Sequence, residues 1–302
     1  MLAVEREDVT QKQKDWMVGS VIFVLMIVLI FIMVGNQSGG QRYDGVKLSI
    51  KGDKIAVIEL SGPIYSARDI VRQFKKYGEH KSIKAILFRI ESPGGGISPS
   101  QEIYQAVKRV RDSGKPVVAS MGAVAASGGY YVALGADTIM ANPGTTTGSI
   151  GVILEITNLR ELFDKIGIRF DIIKTGRFKD TGSPHRDLTE ADRRFLQNYV
   201  NDAFDQFMDV VAEERGMKKY KVKQLADGRV FTGRQAEKEG LIDLLGDFED
   251  AIDLTAKLGG IEGEPVLVRE YQRRRSVYDL FFEEITRVVH GMQGTRLEYR
   301  LH

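Results

Sequence analysis

The chain has 302 residues and a formal net charge of +2 at pH 7, and 43% of its residues are hydrophobic and 28% charged. This balance is typical of a folded globular protein, and so small a net charge gives no reason to expect a nucleic acid as partner. Cysteine is absent, which excludes disulfides, thiolate metal sites and a cysteine nucleophile. Because the chain has only four histidines and no cysteine, we expect no zinc site. We also predict no cofactor.

An uncharged apolar run at residues 16–34 predicts a membrane anchor. Nineteen residues in a helix reach about 28 Å, which is close to the thickness of a hydrocarbon core. The alternative is a cleavable signal peptide, but its apolar part is shorter and ends in small residues, whereas "GNQSGG" follows here. We therefore predict a cytoplasmic segment at 1–15, a transmembrane helix at 16–34 and a flexible linker at 35–50.

Residues 51–260 alternate between strand and helix signals, which predicts an α/β catalytic domain with largely parallel strands. The predicted strands lie at 54–60, 84–92, 116–122 and 137–143. The predicted helices lie at 67–80 and 98–114, the second beginning with a serine–proline cap.

The second half of the chain is predicted to be mainly helical. A Thr-x-x-Asp capping pattern, Thr189 with Asp192, starts a long helix. Residues 227–247 combine a strand-like piece, a helix and glycine turns. The C-terminal region, 261–302, is predicted to contain a strand, an amphipathic helix at 276–292 and a tail.

The first candidate for chemistry is "ESPGGG", Glu91–Gly96, at the carboxyl end of a predicted strand. Consecutive glycines leave backbone N–H groups unobstructed, and fixed N–H donors stabilise the oxyanion of acyl transfer. A tight turn without chemistry explains the same residues equally well.

The second candidate is Ser127, the one serine in "GAVAASGGYYVALGAD" (122–137). A serine at a helix start is commonly an N-cap. Combined with the N–H of Gly128 and those of Gly94 and Gly95, however, it would form a nucleophile beside a two-donor oxyanion hole. The stretch is not a Gly-x-Ser-x-Gly elbow, because Ala125 occupies the first glycine position.

A serine nucleophile needs a base, and the segment 172–189 holds the candidates. It contains His185, Lys174 and Lys179, with the lysines placed between a predicted apolar strand and a glycine turn. A lysine amine acts as base only when neutral, which burial and positive surroundings favour. A solvated lysine pair on a loop is the plainer reading, and the residues alone leave both open.

Taken together, five segments resemble, in order, the short form of the bacterial signal peptide peptidase A family. They cover most of residues 54–247. The segments are "SPGGG" (92–96), "ASGGYYVALGAD" (126–137), "ANPGTTTGSIGVI" (141–153), "KTGRFKDTGSPHR" (174–186) and "DGRVFTGRQAEKEGLIDLLG" (227–246).

The resemblance implies a serine–lysine peptidase with a Clp-protease/crotonase-like fold, built of repeated ββα units. On this reading Ser127 is the nucleophile and Lys179, rather than Lys174, is the general base. Ser149 would hold the lysine amine by a hydrogen bond. Gly94, Gly95 and Gly128 would form the oxyanion hole, with the choice between Gly94 and Gly95 left open.

The same resemblance implies partners and a location. The family degrades remnant signal peptides, and its short forms assemble as octamers in which a neighbouring subunit supplies the lysine. The expected location is the bacterial cytoplasmic membrane, with the catalytic domain on the extracytoplasmic side. Two alternatives remain, a crotonase-like acyl-CoA enzyme and a non-catalytic membrane scaffold of the same fold. The tail "GTRLEYRLH" is either disordered or bound in a neighbouring active site.

Overall fold

The computed structural model describes residues 52–270 and, as backbone only, residues 296–300. The predicted segment 1–15, the anchor at 16–34, the linker at 35–50 and the amphipathic helix at 276–292 lie outside the described residues. Among the described residues, no helix has the length and apolar character needed to cross a membrane.

Eleven strands and eight helices make up the described part of the chain. The strands are β1 Lys54–Ser61, β2 Ile83–Ser92, β3 Gly94–Gly96, β4 Val117–Ala126, β5 Thr138–Ala141, β6 Thr146–Gly148, β7 Ile153–Glu155, β8 Val230–Thr232, β9 Leu244–Leu245, β10 Val266–Arg269 and β11 Arg296–Arg300. The helices are α1 Arg68–Glu79, α2 Ile97–Asp112, α3 Gly128–Ala133, α4 Arg160–Lys165, α5 Glu190–Glu214, α6 Lys219–Leu225, α7 Gly233–Lys238 and α8 Phe248–Leu258.

The main sheet has the strand order β10-β1-β2-β4-β5-β9, and every pair along this path is parallel. Strand β6 continues the sheet from the far end of β4, and β8 adds to β6 as an antiparallel strand. The predicted α/β architecture with largely parallel strands is therefore confirmed. Strand β10, which lies in the predicted C-terminal region, is an edge strand of this same sheet.

Both faces of the main sheet are covered, which explains why its strands read as unbroken apolar runs. In β2, Phe88 packs towards α1, where its ring meets Phe74 edge-on with centroids 5.0 Å apart. The next side chain along, Leu87, points to the opposite face and packs in the cluster that contains Ile252 of α8. The central strands are thus buried on both sides and hold a rigid frame for the residues at their carboxyl ends.

Two local predictions are wrong. Helix α2 begins at Ile97 with Gly96 at the N-cap and no side-chain cap, so the predicted serine–proline cap lies inside the first turn. The apolar strand expected before Lys174 is absent, because residues 167–174 have no regular structure and no neighbouring strand to pair with. Ile173 in that stretch is fully exposed.

A second, three-stranded sheet has the order β3-β11-β7, with both pairings antiparallel. Arg300 lies opposite Gly94 and Tyr299 opposite Gly95, while Leu297 lies opposite Leu154 on the other side. The edges of β3 and β7 therefore form a groove that is filled by an extended segment of this chain.

Candidate active site

The candidate residues converge at the carboxyl ends of β2 and β4. Ser92, the last residue of β2, is in register with Ala125 near the end of β4. The glycine run of β3 follows β2 after one residue, and Ser127 follows β4 directly. Adjacent parallel strands end at the same edge of a sheet, so two motifs 33 residues apart meet there by topology.

Strand β4 runs farther than the predicted 116–122, and the extension carries it to Ser127. The Glu91 carboxylate accepts hydrogen bonds from the backbone N–H groups of Ala123 (2.7 Å) and Val124 (3.3 Å). Val124 then begins a second paired stretch with β6. The second half of β4 thus pairs with a different strand from the first half, and it ends next to Ser127 at the edge of the sheet.

Ser127 has a strained backbone and an unused hydroxyl. Its φ of 54° and ψ of −115° lie in a region that non-glycine residues seldom adopt, and such strain clusters at functional sites. The N–H donates to the Gly148 carbonyl at 2.7 Å, which fixes the backbone. The side chain makes no cap hydrogen bond, and its buried Oγ has no partner among the described residues. Ser127 therefore occupies the N-cap position of α3, as its place at a helix start predicts, but its side chain does not cap the helix.

Backbone donors lie beside this hydroxyl. A Cβ placed on Gly128 would lie 3.2 Å from the nitrogen of Gly95 and 2.7 Å from Ser100 Oγ. The Gly94 N–H already donates to Ser92 Oγ at 3.2 Å. Of the two β3 glycines left open by the sequence, Gly95 has its nitrogen close to Gly128, whereas the Gly94 N–H is bonded to Ser92.

Ser149 stands next to the residue that fixes Ser127. Its own φ is 51°, and its N–H donates to the Arg229 carbonyl at 2.9 Å. The preceding carbonyl, that of Gly148, is the acceptor for Ser127 N–H. The structure thus brings Ser127, Ser149 and the glycines together.

Lys179 is not part of this cluster within one chain. It is exposed, lies in a turn, and has no hydrogen-bond or ion-pair partner among the described residues. His185, the other base considered, stacks on Phe170 with ring centroids 4.9 Å apart, and its buried Nε2 is unpartnered among residues 52–270. Neither side chain hydrogen-bonds to Ser127 Oγ.

Lys179 belongs to residues 156–189, which connect β7 to α5 and which we call the arm. Within the arm, Asp180 accepts hydrogen bonds from Lys174 Nζ (2.6 Å) and Arg186 Nη2 (2.9 Å). Arg186 also donates through Nη1 to Asp192 Oδ2 at 2.7 Å. Its guanidinium, with help from Lys174, holds the pKa of the Asp180 carboxyl at about 2, and Arg186 and Thr181 hold the pKa of Asp192 well below its usual range.

Sequence reasoning missed two features of this site. Asp180 and Arg186 lie in a quoted segment and Asp192 was predicted only as part of a helix cap, because ion pairing across a loop leaves no periodic signal. Strand β7 is only three residues long and becomes recognisable only through its pairing with β11. In the part of the chain that the structure describes, no three histidine or carboxylate side chains are grouped so as to hold a metal ion.

Comparisons with known proteins identify the family to which the chain is similar. Residues 109–262 match the model of peptidase family S49, and residues 44–147 match that of Clp protease. A candidate protease of Synechocystis is 47% identical over 214 residues, which cover 70% of this chain and 77% of the relative. A candidate signal peptide peptidase A of Enterococcus faecium is 38% identical over 224 residues, covering 73% of this chain and 65% of the relative.

A longer relative is also similar over the same region. Protease 4 of Haemophilus influenzae is 34% identical over 215 residues, which cover 68% of this chain and 35% of the relative. The family match spans half of the chain and includes Ser127, Ser149 and the arm. This chain therefore belongs to peptidase family S49 and is a serine peptidase with a Clp-protease-like domain.

Proposed function

We propose that this peptidase is a membrane-anchored endopeptidase in which Ser127 is the nucleophile and Lys179 of a neighbouring copy is the general base. The observation that carries the proposal is the buried, unpartnered Ser127 Oγ on a strained backbone, next to Gly128 and close to the backbone nitrogen of Gly95.

The chemistry follows from the residue types. The neutral amine of Lys179 takes the proton of Ser127 as its Oγ attacks the peptide carbonyl, and the N–H groups of Gly95 and Gly128 stabilise the oxyanion. As the C–N bond breaks, the lysine ammonium gives its proton to the leaving amine. Water then hydrolyses the ester with the lysine again as base. Ser149, which follows the residue that accepts from the Ser127 N–H, would accept a hydrogen bond from the incoming amine.

The geometry of α5 supports a base from a neighbouring copy. Near its C-terminal end, Phe207 packs against Tyr131 of α3, four residues after Ser127. Near its other end, Phe195 stacks on Phe178, the residue before Lys179. Twelve residues of helix separate these two contacts by about 18 Å, which is farther than a lysine side chain reaches. The α5 contact close to Ser127 and the α5 contact beside Lys179 are thus well separated along the helix, which supports a lysine from a neighbouring copy.

The arm also carries exposed apolar side chains that suit a contact between copies. Ile173 is fully exposed, and Ile166 and Leu162 are more than half exposed. Soluble chains rarely leave such patches uncovered, and a homo-oligomer would cover them while moving Lys179 to the next Ser127. By family resemblance the assembly is an octamer.

The groove between β3 and β7 supports an extended peptide as substrate. Strand β11 runs antiparallel to both edges, so the groove binds a chain through main-chain hydrogen bonds. Remnant signal peptides are apolar and are released at a membrane, which fits a catalytic domain tethered by residues 16–34 on the extracytoplasmic side of a bacterial cytoplasmic membrane. The family match argues against the acyl-CoA enzyme and the scaffold.

Complementation between inactive variants tests the proposal. Full-length Ser127→Ala and Lys179→Ala chains are assayed in detergent with a fluorogenic apolar peptide, alone and after mixing under subunit exchange. We expect each to be inert and the equal mixture to regain about a quarter of the wild-type rate, because half of the serine-bearing chains then have a lysine-bearing neighbour.

A matched lysine provides the control. Lys165→Ala, in α4 of the same arm, also removes one exposed ammonium and is expected to keep the wild-type rate. If mixing restores no activity although the subunits exchange, the Ser127 and Lys179 of one active site would belong to the same chain. An active Lys179→Ala chain would disprove the serine–lysine mechanism.

A further inference from the structure

The two residues beside Lys179 are both held by α5, although Lys179 itself is free of partners among residues 52–270. On one side, Phe178 stacks on Phe195 with ring centroids 4.9 Å apart and an interplanar angle of 16°. On the other side, Asp180 is bonded to Arg186, which is bonded in turn to Asp192 in the first turn of α5. The backbone of Lys179 is thus fixed at two points on one helix.

The ion pairs on the Asp180 side are better placed to hold geometry than ordinary surface pairs. The side chain of Asp192 is only 4% exposed and that of Asp180 only 11%, so water competes weakly for them. Arg186 spans the two carboxylates with different nitrogens, Nη1 to Asp192 and Nη2 to Asp180. A planar guanidinium imposes direction on both bonds at once, which a lysine ammonium does not.

Asp192 is itself fixed to the helix. Its Oδ2 accepts from the Thr189 N–H at 3.0 Å, and its own N–H donates to Thr189 Oγ1 at 3.2 Å, which completes a capping box. Its Oδ1 also accepts from Thr181 Oγ1 at 2.6 Å. The position of Arg186 is therefore tied to a helix whose far end is packed in the core at Phe207.

The hydrogen bonds of Asp180 also keep its carboxylate from pairing with the adjacent Lys179. Its Oδ1 already accepts from both Lys174 and Arg186, so the carboxylate that follows Lys179 in the sequence is shared by two other cations. The Lys179 amine is left unpaired on a fixed stretch of backbone. A lysine that acts in the active site of another copy requires an unpaired amine. Any hydrogen bond from the amine to its own chain would have to break when the two copies associate.

We propose that Asp180, Arg186 and Asp192 form a clamp that positions Lys179 for reaction, with Arg186 as the central positioning residue. This inference rests on the proposed role of Lys179 as the base. The clamp residues do not touch substrate and act only through the backbone on which Lys179 is carried. Because small displacements of a catalytic group cost large factors in rate, loosening the clamp should lower kcat more than it changes KM.

The absence of cysteine allows the position of residue 179 to be measured without reference to activity. A nitroxide spin label on full-length Lys179→Cys reports mobility by its electron paramagnetic resonance line shape. We expect a restricted line shape in the otherwise unchanged chain and a sharper, mobile one when Arg186→Gln is added. Arg186→Lys keeps the positive charge but lacks the planar guanidinium that bonds both carboxylates. Its line shape should be intermediate between those two.

Two controls separate the clamp from general loosening. Arg215→Gln breaks another partly buried ion pair, to Asp243 at 2.7 Å, and should leave the label at 179 restricted. A label on Lys165→Cys, elsewhere in the arm, should respond little to Arg186→Gln.

In the unlabelled enzyme, Arg186→Gln should lower kcat by at least about tenfold with KM within about twofold of wild type. An unchanged line shape at residue 179, or an unchanged kcat, would overturn the proposal. If Lys179→Ala proves active, the proposed function fails, but the line shape still reports whether the clamp holds residue 179.

Discussion

The ring of Phe207 meets the ring of Tyr131 edge-on, with centroids 5.0 Å apart, and joins α5 to the short helix that follows Ser127. Tyr131 makes a similar contact with Tyr104 of α2, at 5.4 Å. These three aromatic rings connect the long helix that carries the arm to the core beneath the nucleophile.

The Phe207→Ala substitution should therefore destabilise the fold. Phe207 is fully buried, and removal of a buried phenylalanine ring costs about 3–5 kcal/mol. Urea denaturation followed by circular dichroism measures the loss. Tyr199→Ala, on a largely exposed part of the same helix, should change the free energy of unfolding by less than about 0.5 kcal/mol. Equal losses for the two variants would contradict the packing described for α5.

Ser127→Gly should be more stable than Ser127→Ala, although both lack the nucleophile. Glycine adopts a φ of 54° without the steric cost that a Cβ brings, and such strain costs about 1–3 kcal/mol in a non-glycine residue. Part of that gain is offset because glycine has more freedom in the unfolded chain. We expect a net difference of about 1 kcal/mol in urea denaturation. A more stable alanine variant would show that the backbone at Ser127 is unstrained.

Gly95→Ala should abolish peptidase activity while the chain still folds. A Cβ at this position would clash with the backbone of Ile64, which pairs with Gly95 as an isolated bridge, and the clash would displace the Gly95 N–H that we propose as an oxyanion donor. Gly144→Ala is the matched control, because a Cβ there meets nothing within 4 Å. The assay is peptide hydrolysis, with circular dichroism to verify folding. Wild-type activity in Gly95→Ala would exclude this N–H as an oxyanion donor.

Removal of residues 296–302 should lower the KM for a short peptide several-fold. Strand β11 pairs with both β3 and β7, so it competes for the main-chain groups that would bind a substrate. Removal of residues 301–302 alone leaves β11 in place and should leave KM unchanged. Initial rates over a range of peptide concentrations provide the measurement. Equal KM values for the two truncations would mean that β11 does not compete.

Acid should remove the stabilisation that the Asp180 carboxylate contributes to the fold. The pKa of Asp180 is lowered from 3.8 to about 2, chiefly by its hydrogen bond to Arg186 and also by Lys174. A lowered pKa means that the carboxylate stabilises the folded state above about pH 4 and that this contribution is lost as the pH falls towards 2. The free energy of unfolding should fall more steeply over this window in the wild type than in Asp180→Asn, as measured by urea denaturation at pH 4.5 and pH 3. Parallel pH dependences would rule out this contribution.

The main sheet was predictable because burial on both faces leaves long apolar runs. The runs at 54–60 and 84–92 became β1 and β2 almost unchanged, and the Thr189–Asp192 capping box forms as predicted. These signals are local, because each depends on residues within a few positions of one another.

The candidate site was less accessible to sequence reasoning because its contacts are distant in the chain. The backbone of Ser127 is fixed by the carbonyl of Gly148, and the glycines that follow β2 lie close to it. These contacts form only on folding, so the sequence alone does not separate a nucleophile from a helix cap. The strand expected before Lys174 fails for a related reason. Apolar residues there favour a strand, but no sheet edge lies beside them, and their side chains remain exposed.

One consequence of β3 concerns selectivity. Gly94, Gly95 and Gly96 present only peptide groups to whatever lies in the groove. Peptide groups are the same in every polypeptide, so β3 binds an extended chain on this side of the groove without selecting its side chains. Discrimination between substrates then rests on the opposite wall and on the floor of the groove. An enzyme with one such featureless wall is suited to clearing a mixed population of fragments rather than to cutting a single site.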